Sequence, residues 1–147
     1  MNSTNATSPT APAITRINPS ELHATPGYHH ITVVETGRTA YLAGQCPLDA
    51  DGNVVAPDDP EAQADQVAAN ALTALAAIGA SPEQVVRSVI YVASDDRPVL
   101  AAVWNRLNAS PLAGAFTTAS TLLGVAQLGF PAQRVELDLT VALPPRD

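Results

Sequence analysis

Lysine is absent from this 147-residue chain, and all seven of its basic residues are arginine. That absence excludes a Schiff-base lysine and a phosphate-loop lysine. A GC-rich genome is the plain cause, and it also fits the abundant alanine, proline and valine. Cysteine is nearly absent too, since Cys46 stands alone. One cysteine excludes an intramolecular disulfide and a cysteine-based zinc site within one chain, and it suits a reducing cytoplasm. No apolar run is long enough to span a bilayer, so no membrane partner is expected. Positive charge is scarce, with a formal net charge of -7. An acidic surface repels phosphate backbones, which argues against nucleic acid as a partner.

What is present is a globular composition, 46% hydrophobic and 14% charged, in a length that suits one domain. There is no internal repeat and no interdomain linker. The opening MNSTNATSPTAPAIT has no basic n-region and no apolar h-region, so it does not read as a secretory signal. It reads as a disordered tail over residues 1–13, ahead of a single domain over 14–147. Asn5-Ala6-Thr7 matches a glycosylation motif by chance.

Local patterns place the elements. His30–Glu35 and Thr39–Ala43 are dense in β-branched and apolar residues around Thr36-Gly37-Arg38, which predicts a hairpin. Asp51-Gly52-Asn53 marks a tight turn before Val54-Val55. Asp59-Pro60-Glu61 combines a capping aspartate, a proline at the first helical position and an acid at the positive helix end. The helix it opens runs to Ile78 and stops at Gly79, with Val67, Ala71, Leu75 and Ile78 as its buried stripe. Ser81-Pro82-Glu83 caps a short turn before a strand, Val86–Ala93. A second helix, Pro98–Leu107, follows Ser94-Asp95-Asp96. A short strand is expected over Ala115–Ser120. Arg134–Leu143 alternates, with Val135, Leu137, Leu139, Val141 and Leu143 on one face and Glu136 and Asp138 on the other. Two helices on one face of a mixed sheet make an α+β layer. The other face has no third helix to cover it, and self-association is the simplest cover.

Four landmarks in this order resemble the Rid (YjgF/YER057c/UK114) family, over Ile17 to Leu143. They are Pro26-Gly27-Tyr28 with His30; Tyr41-Leu42-Ala43-Gly44-Gln45-Cys46-Pro47; the helix and strand from Ala64 to Val92; and Ala119-Ser120-Thr121 through Ala126, ending in Val135-Glu136-Leu137. The resemblance implies a chorismate-mutase-like fold, a cytoplasmic homotrimer, clefts between subunits and no cofactor. It implies enamine/imine deaminase-like hydrolase chemistry on a small molecule, with Glu136 orienting water and Tyr28, Gly44, Gln45 and Ser120 at the substrate. At Ser120 the family's archetype carries an arginine that clamps a carboxylate, and at Ala43 it carries a serine. Exchanging a charge-assisted fork for a neutral hydroxyl costs about 2–5 kcal/mol of carboxylate binding. A non-catalytic trimer that binds a metabolite or partner, or a Rid-fold enzyme turned to another reaction, therefore remains open beside the deaminase.

Each candidate also has a plainer reading. Glu136 is otherwise an exposed carboxylate, although one confined in an interface needs partners. Ser120 has no assignable histidine base, so it is not a nucleophile. Tyr28 is otherwise an interface aromatic, and Trp104 core or interface packing. His29 and His30 would face opposite ways in a strand and could not chelate one metal, so no metal is expected; one of them could shuttle a proton. Cys46 is most simply a small buried hydrophobe. Arg87 or Arg134 could replace the missing cation, though Arg134 could equally pair with Glu136.

Overall fold

The computed structural model describes residues 13–146. Of the tail expected over residues 1–13, the first twelve residues, with the Asn5 motif, lie outside them. Ala13 belongs to the fold, since its carbonyl accepts the Glu35 N–H at 3.0 Å.

The elements run β1 (Ile14–Ile17), β2 (Ile31–Val34), β3 (Arg38–Tyr41), α1 (Pro60–Ala77), β4 (Val85–Val92), α2 (Arg97–Asn108), β5 (Ala119–Gly124) and β6 (Val135–Leu143). Short 3-10 turns at Pro82–Gln84 and Ala113–Phe116 precede β4 and β5. A four-stranded sheet has the order β3-β6-β4-β5, and β1 and β2 form a separate pair. The larger sheet is mixed: β4 and β5 are parallel, while β6 is antiparallel to β3 and β4.

The helix start at Asp59 forms as the residue types dictate. The Asp59 carboxylate accepts the Ala62 N–H at 3.1 Å, and Pro60 opens α1. Ala64, Val67, Ala68, Ala71 and Leu75 of α1 pack on Val135, Leu137, Leu139 and Val141 of β6, all buried. The alanines let the helix approach closely, and each fully buried leucine or valine contributes about 1.5–3 kcal/mol. Val103 and Leu107 of α2 enter the same core. An exposed Arg106–Asp65 pair, Nη2 to Oδ2 2.7 Å, joins α2 to α1.

Three expectations are corrected. β2 and β3 do not form a hairpin: β2 pairs with β1 and β3 with β6. Gly37, at φ 121°, carries the chain from one sheet to the other, and a side chain there would strike the Leu143 carbonyl. The strand expected over Ala115–Ser120 starts at Ala119, because Ala113–Phe116 is a 3-10 turn. Ile78 leaves the buried stripe, being 40% exposed at the C-cap where the helix ends. β1 carries no signal strong enough to be read beforehand.

A buried side chain ties the loops to this frame. Gln63 is fully buried and donates to the carbonyls of Ala56 and Ala132 at 3.0 and 2.9 Å, while its own carbonyl accepts the Arg134 N–H at 2.6 Å. Ala56 and Ala132 both hold left-handed backbone, φ 45° and 62°, a conformation that costs a non-glycine residue roughly 1–3 kcal/mol unless its surroundings impose it.

Candidate functional site

The sheet has two unlike faces. Ser88, Ile90 and Val92 of β4 turn toward the helices, and Ser120 and Leu122 of β5 sit beside Ser88 and Ile90 in register. The opposite face carries Glu136, Asp138 and Thr140 of β6, opposite Tyr91, Val89 and Arg87 of β4. Tyr41, opposite Thr140 on β3, is 81% exposed there. Ser120 and Glu136 therefore lie on opposite faces.

Glu136 sits where β3 runs on irregularly beside β6. Leu42 N–H bonds the Leu139 carbonyl at 3.1 Å, and Gln45 and Leu137 exchange backbone bonds of 2.7 and 3.0 Å. This pairing lays Gly44 against Glu136. A Cβ at residue 44 would overlap Glu136 Oε2, so a side chain there would have to push the carboxylate aside. Glu136 Oε1 accepts the Cys46 thiol and the Gln133 amide, each at 3.2 Å. Gln133 is itself buried and also donates to the Val135 carbonyl at 3.1 Å. One carboxylate oxygen is thus tethered and the other lies over Gly44. A cavity of about 410 Å³ opens on this face, lined by Leu42, Gly44, Tyr91, Val125, Gln127, Leu128, Glu136 and Asp138.

Cys46 answers to the same carboxylate. Burial first, then the hydrogen bond to Glu136 and its charge, push the thiol up to about 11. A thiol so placed stays protonated and donates, so it orients Glu136 and is no nucleophile. Asn70 of α1 fixes this loop by donating to the carbonyls of Cys46 and Leu48 at 3.0 and 2.9 Å.

Tyr28 and Ser120 line a different cavity, of about 360 Å³, with Pro26, Ala101, Trp104 and Leu122. It lies between edge strand β5, helix α2 and the loop before β2. Tyr28 meets the edge of Trp104 at 6.3 Å between ring centroids, and Trp104 meets Phe116 at 6.1 Å. Ser120 Oγ contacts Ser88 Oγ at 2.6 Å and donates to the Thr118 carbonyl at 3.0 Å.

Within one chain, then, Tyr28 falls with Ser120, and Gly44 falls with Glu136. Gln45 lines neither cavity; its side-chain amide donates back to the Ala43 carbonyl at 3.0 Å. Arg134 does not pair with Glu136 but binds Asp58, Nη2 to Oδ1 2.8 Å. Arg87 donates to Thr121 Oγ1 at 2.8 Å, on the sheet face away from Ser120. Neither arginine stands where the clamp is missing. His29 is held on the Thr117 carbonyl and His30 on the His23 carbonyl. No group of three metal-ligating side chains occurs among the described residues.

Two contributors escaped the sequence. His23 bonds the Tyr28 hydroxyl at 3.1 Å and packs edge-on against His30 at 4.7 Å. The only signal was a histidine five residues before Tyr28 in a loop bounded by Pro19 and Pro26. Gln133 carries no signal at all, because its bond to Glu136 appears only once the chain is folded.

Two helices on one face of a mixed sheet, with the other face uncovered, make this a small α+β layer protein. A family model described as Endoribonuclease L-PSP matches residues 19–143. The chain belongs to this family, whose members include the Rid (YjgF/YER057c/UK114) proteins. YyfB of Yersinia pestis, described as a Rid-family protein of unknown function, is 33% identical with a TM-score of 0.81, covering 88% of this chain and 98% of its own. A Mycobacterium tuberculosis member of the YjgF/YER057c/UK114 family shares the fold at 23% identity and a TM-score of 0.58, covering 89% of this chain and 100% of its own. Yeast Mmf1 does so at 20% identity and 0.62, covering 88% and 98%. No curated protein matches the chain. No helix among the described residues is long and apolar enough to cross a membrane.

Proposed function

We propose that this protein hydrolyses imines or enamines of small molecules in clefts between copies of itself, with substrate recognition changed at Ser120. The observation that carries the reading is Glu136, tethered through Oε1 by Cys46 and Gln133 with Oε2 over Gly44. A carboxylate held this way is suited to take a proton from water as the water oxygen bonds to the imine carbon. Passing that proton to nitrogen gives a carbinolamine, and moving its hydroxyl proton to nitrogen as the C–N bond breaks releases ammonia and leaves the carbonyl product. The uncovered face with Tyr41 and Leu123 exposed supports a homotrimer. In this reading the β5 edge of one copy, with its Tyr28–Ser120 cavity, meets the Glu136 face of the next.

The test is ammonia release from a short-lived imine, followed against its rate in buffer. Acceleration that disappears in Glu136→Gln supports the reading. Buffer-rate decay with every imine tried, neutral or carboxylated, removes it. A second reading is favoured by Ser120 and Ala43, which leave the site without two polar groups of the family archetype: a trimer that binds a metabolite without turnover. It expects ligand-dependent thermal stabilisation and no ammonia. The net charge of -7 does not favour RNA as a substrate.

A further inference from the structure

We infer that the Ser120 end of the cleft accepts an uncharged apolar or aromatic part of the substrate and rejects a carboxylate. This rests on the reading above for the cavity's place in the cleft, but its chemistry is decided by the cavity itself.

The walls are Pro26, Tyr28, Ala101, Trp104, Ser120 and Leu122, none of them a cation. The surrounding arginines are committed elsewhere. Arg87 binds Thr121 on the opposite sheet face, Arg134 binds Asp58, and Arg106 binds Asp65. Arg97 stands one turn before Ala101 on α2 but is exposed and does not line the cavity.

Ser120 completes the case through the direction of its hydrogen bonds. Ser88 is fully buried, and among the described residues its hydroxyl has no partner but Ser120. A buried hydroxyl must place its proton on an acceptor, so Ser88 donates to Ser120 Oγ. Ser120 then gives its own proton to the Thr118 carbonyl at 3.0 Å. What remains toward the cavity is a lone pair. A carboxylate has only lone pairs to offer and needs donors; at Ser120 it would meet an acceptor, and the walls offer it no cation, only the neutral Tyr28 hydroxyl, already bonded to His23, and the Trp104 indole N–H. An amide N–H suits that acceptor, and a plain ring needs no partner. The volume of about 360 Å³ lies within the range of small-molecule pockets and exceeds a single aromatic ring.

Trp104, the chain's one tryptophan, lines this cavity and reports on it. Phenylacetamide and phenylacetate have nearly the same shape and differ in charge. Titrated into the full-length protein at pH 8, where histidines are largely neutral, phenylacetamide should shift Trp104 emission saturably. Its Kd should lie at least tenfold below that of phenylacetate. Ser120→Arg should reverse the preference. Since that change also removes the partner of buried Ser88, Ala101→Arg supplies a cation from an exposed helix position and should tighten phenylacetate at least tenfold. Equal or tighter binding of phenylacetate by the unaltered protein overturns the inference, as does an unchanged emission with both compounds. Binding of the amide without imine turnover would leave this inference standing and remove the hydrolase. Turnover that prefers carboxylated imines would do the reverse.

Discussion

The Glu136 carboxylate occupies the space that a side chain at residue 44 would need. Gly44 and Glu136 are thus one unit, assembled by the Gln45–Leu137 backbone pairing next to them. Gly44→Ala must displace either the carboxylate or the strand, and overpacking of this kind costs about 1–3 kcal/mol. In the hydrolase reading, both Gly44→Ala and Glu136→Gln should lower turnover by a hundredfold or so, the ordinary scale of general acid–base loss. Glu136→Gln should keep its melting temperature, whereas Gly44→Ala should not. Calorimetry beside the ammonia assay separates the two.

Cys46 should be slow toward thiol reagents. A thiol pushed up to about 11 from 9.0 holds about a hundredfold less thiolate near pH 8. Two of the three upward pushes come from Glu136, so Glu136→Gln should make alkylation faster. Unchanged alkylation in that variant, followed by mass spectrometry, would show that the thiol and the carboxylate do not touch in solution.

Gln63→Leu should cost about 2–3 kcal/mol. It orphans the Arg134 N–H and takes one of the bonds from each of the Ala56 and Ala132 carbonyls. The expected fall in melting temperature is about 5–10 °C.

The Arg106–Asp65 pair should matter little. Its hydrogen bond holds the Asp65 carboxyl below the usual carboxylate range. A depressed folded-state value means that the pair's contribution is full above the unfolded value of about 3.9 and is lost as pH falls through the lowered one. Both side chains are about half exposed, so Arg106→Ala should lower stability only slightly at pH 7 and almost not at all in strong acid. Denaturant melts at the two pH values check the sign.

Subunit mixing tests the shared cleft. Leu122→Arg obstructs one cavity and Glu136→Gln disables the other. If each cleft takes one cavity from each of two copies, a one-to-one mixture reassembled from unfolded chains regains about a quarter of normal turnover, from random pairing around a ring. Activity that stays at zero removes the shared cleft.

What could be read beforehand was what neighbouring residues decide. Asp59-Pro60-Glu61 announced α1, and the alternation of Val135 through Leu143 set Glu136 apart from the core. Gly44 was flagged by its motif, but its close approach to the Glu136 carboxylate appears only with β6 beside it. The partners of β2 and β3 lie far away in the chain, and a turn at Gly37 looks the same whether it closes a hairpin or passes between sheets. The binding of Arg134 to Asp58 spans 76 positions, and no local pattern preferred it to Glu136 two residues away. The apolar character of the Ser120 cavity was equally hidden, since its walls come from three separated segments.

Gln63 has a consequence for how this sequence can drift. Because its amide grips two loops by their carbonyls, the identities of Ala56 and Ala132 are loosely constrained while their backbone shape is tightly held. Glycine or asparagine at either position would be an easy evolutionary step, even a relaxing one. Replacement of Gln63 would not, and its effects would surface at the opposite end of those loops, where Arg134 leads into Glu136.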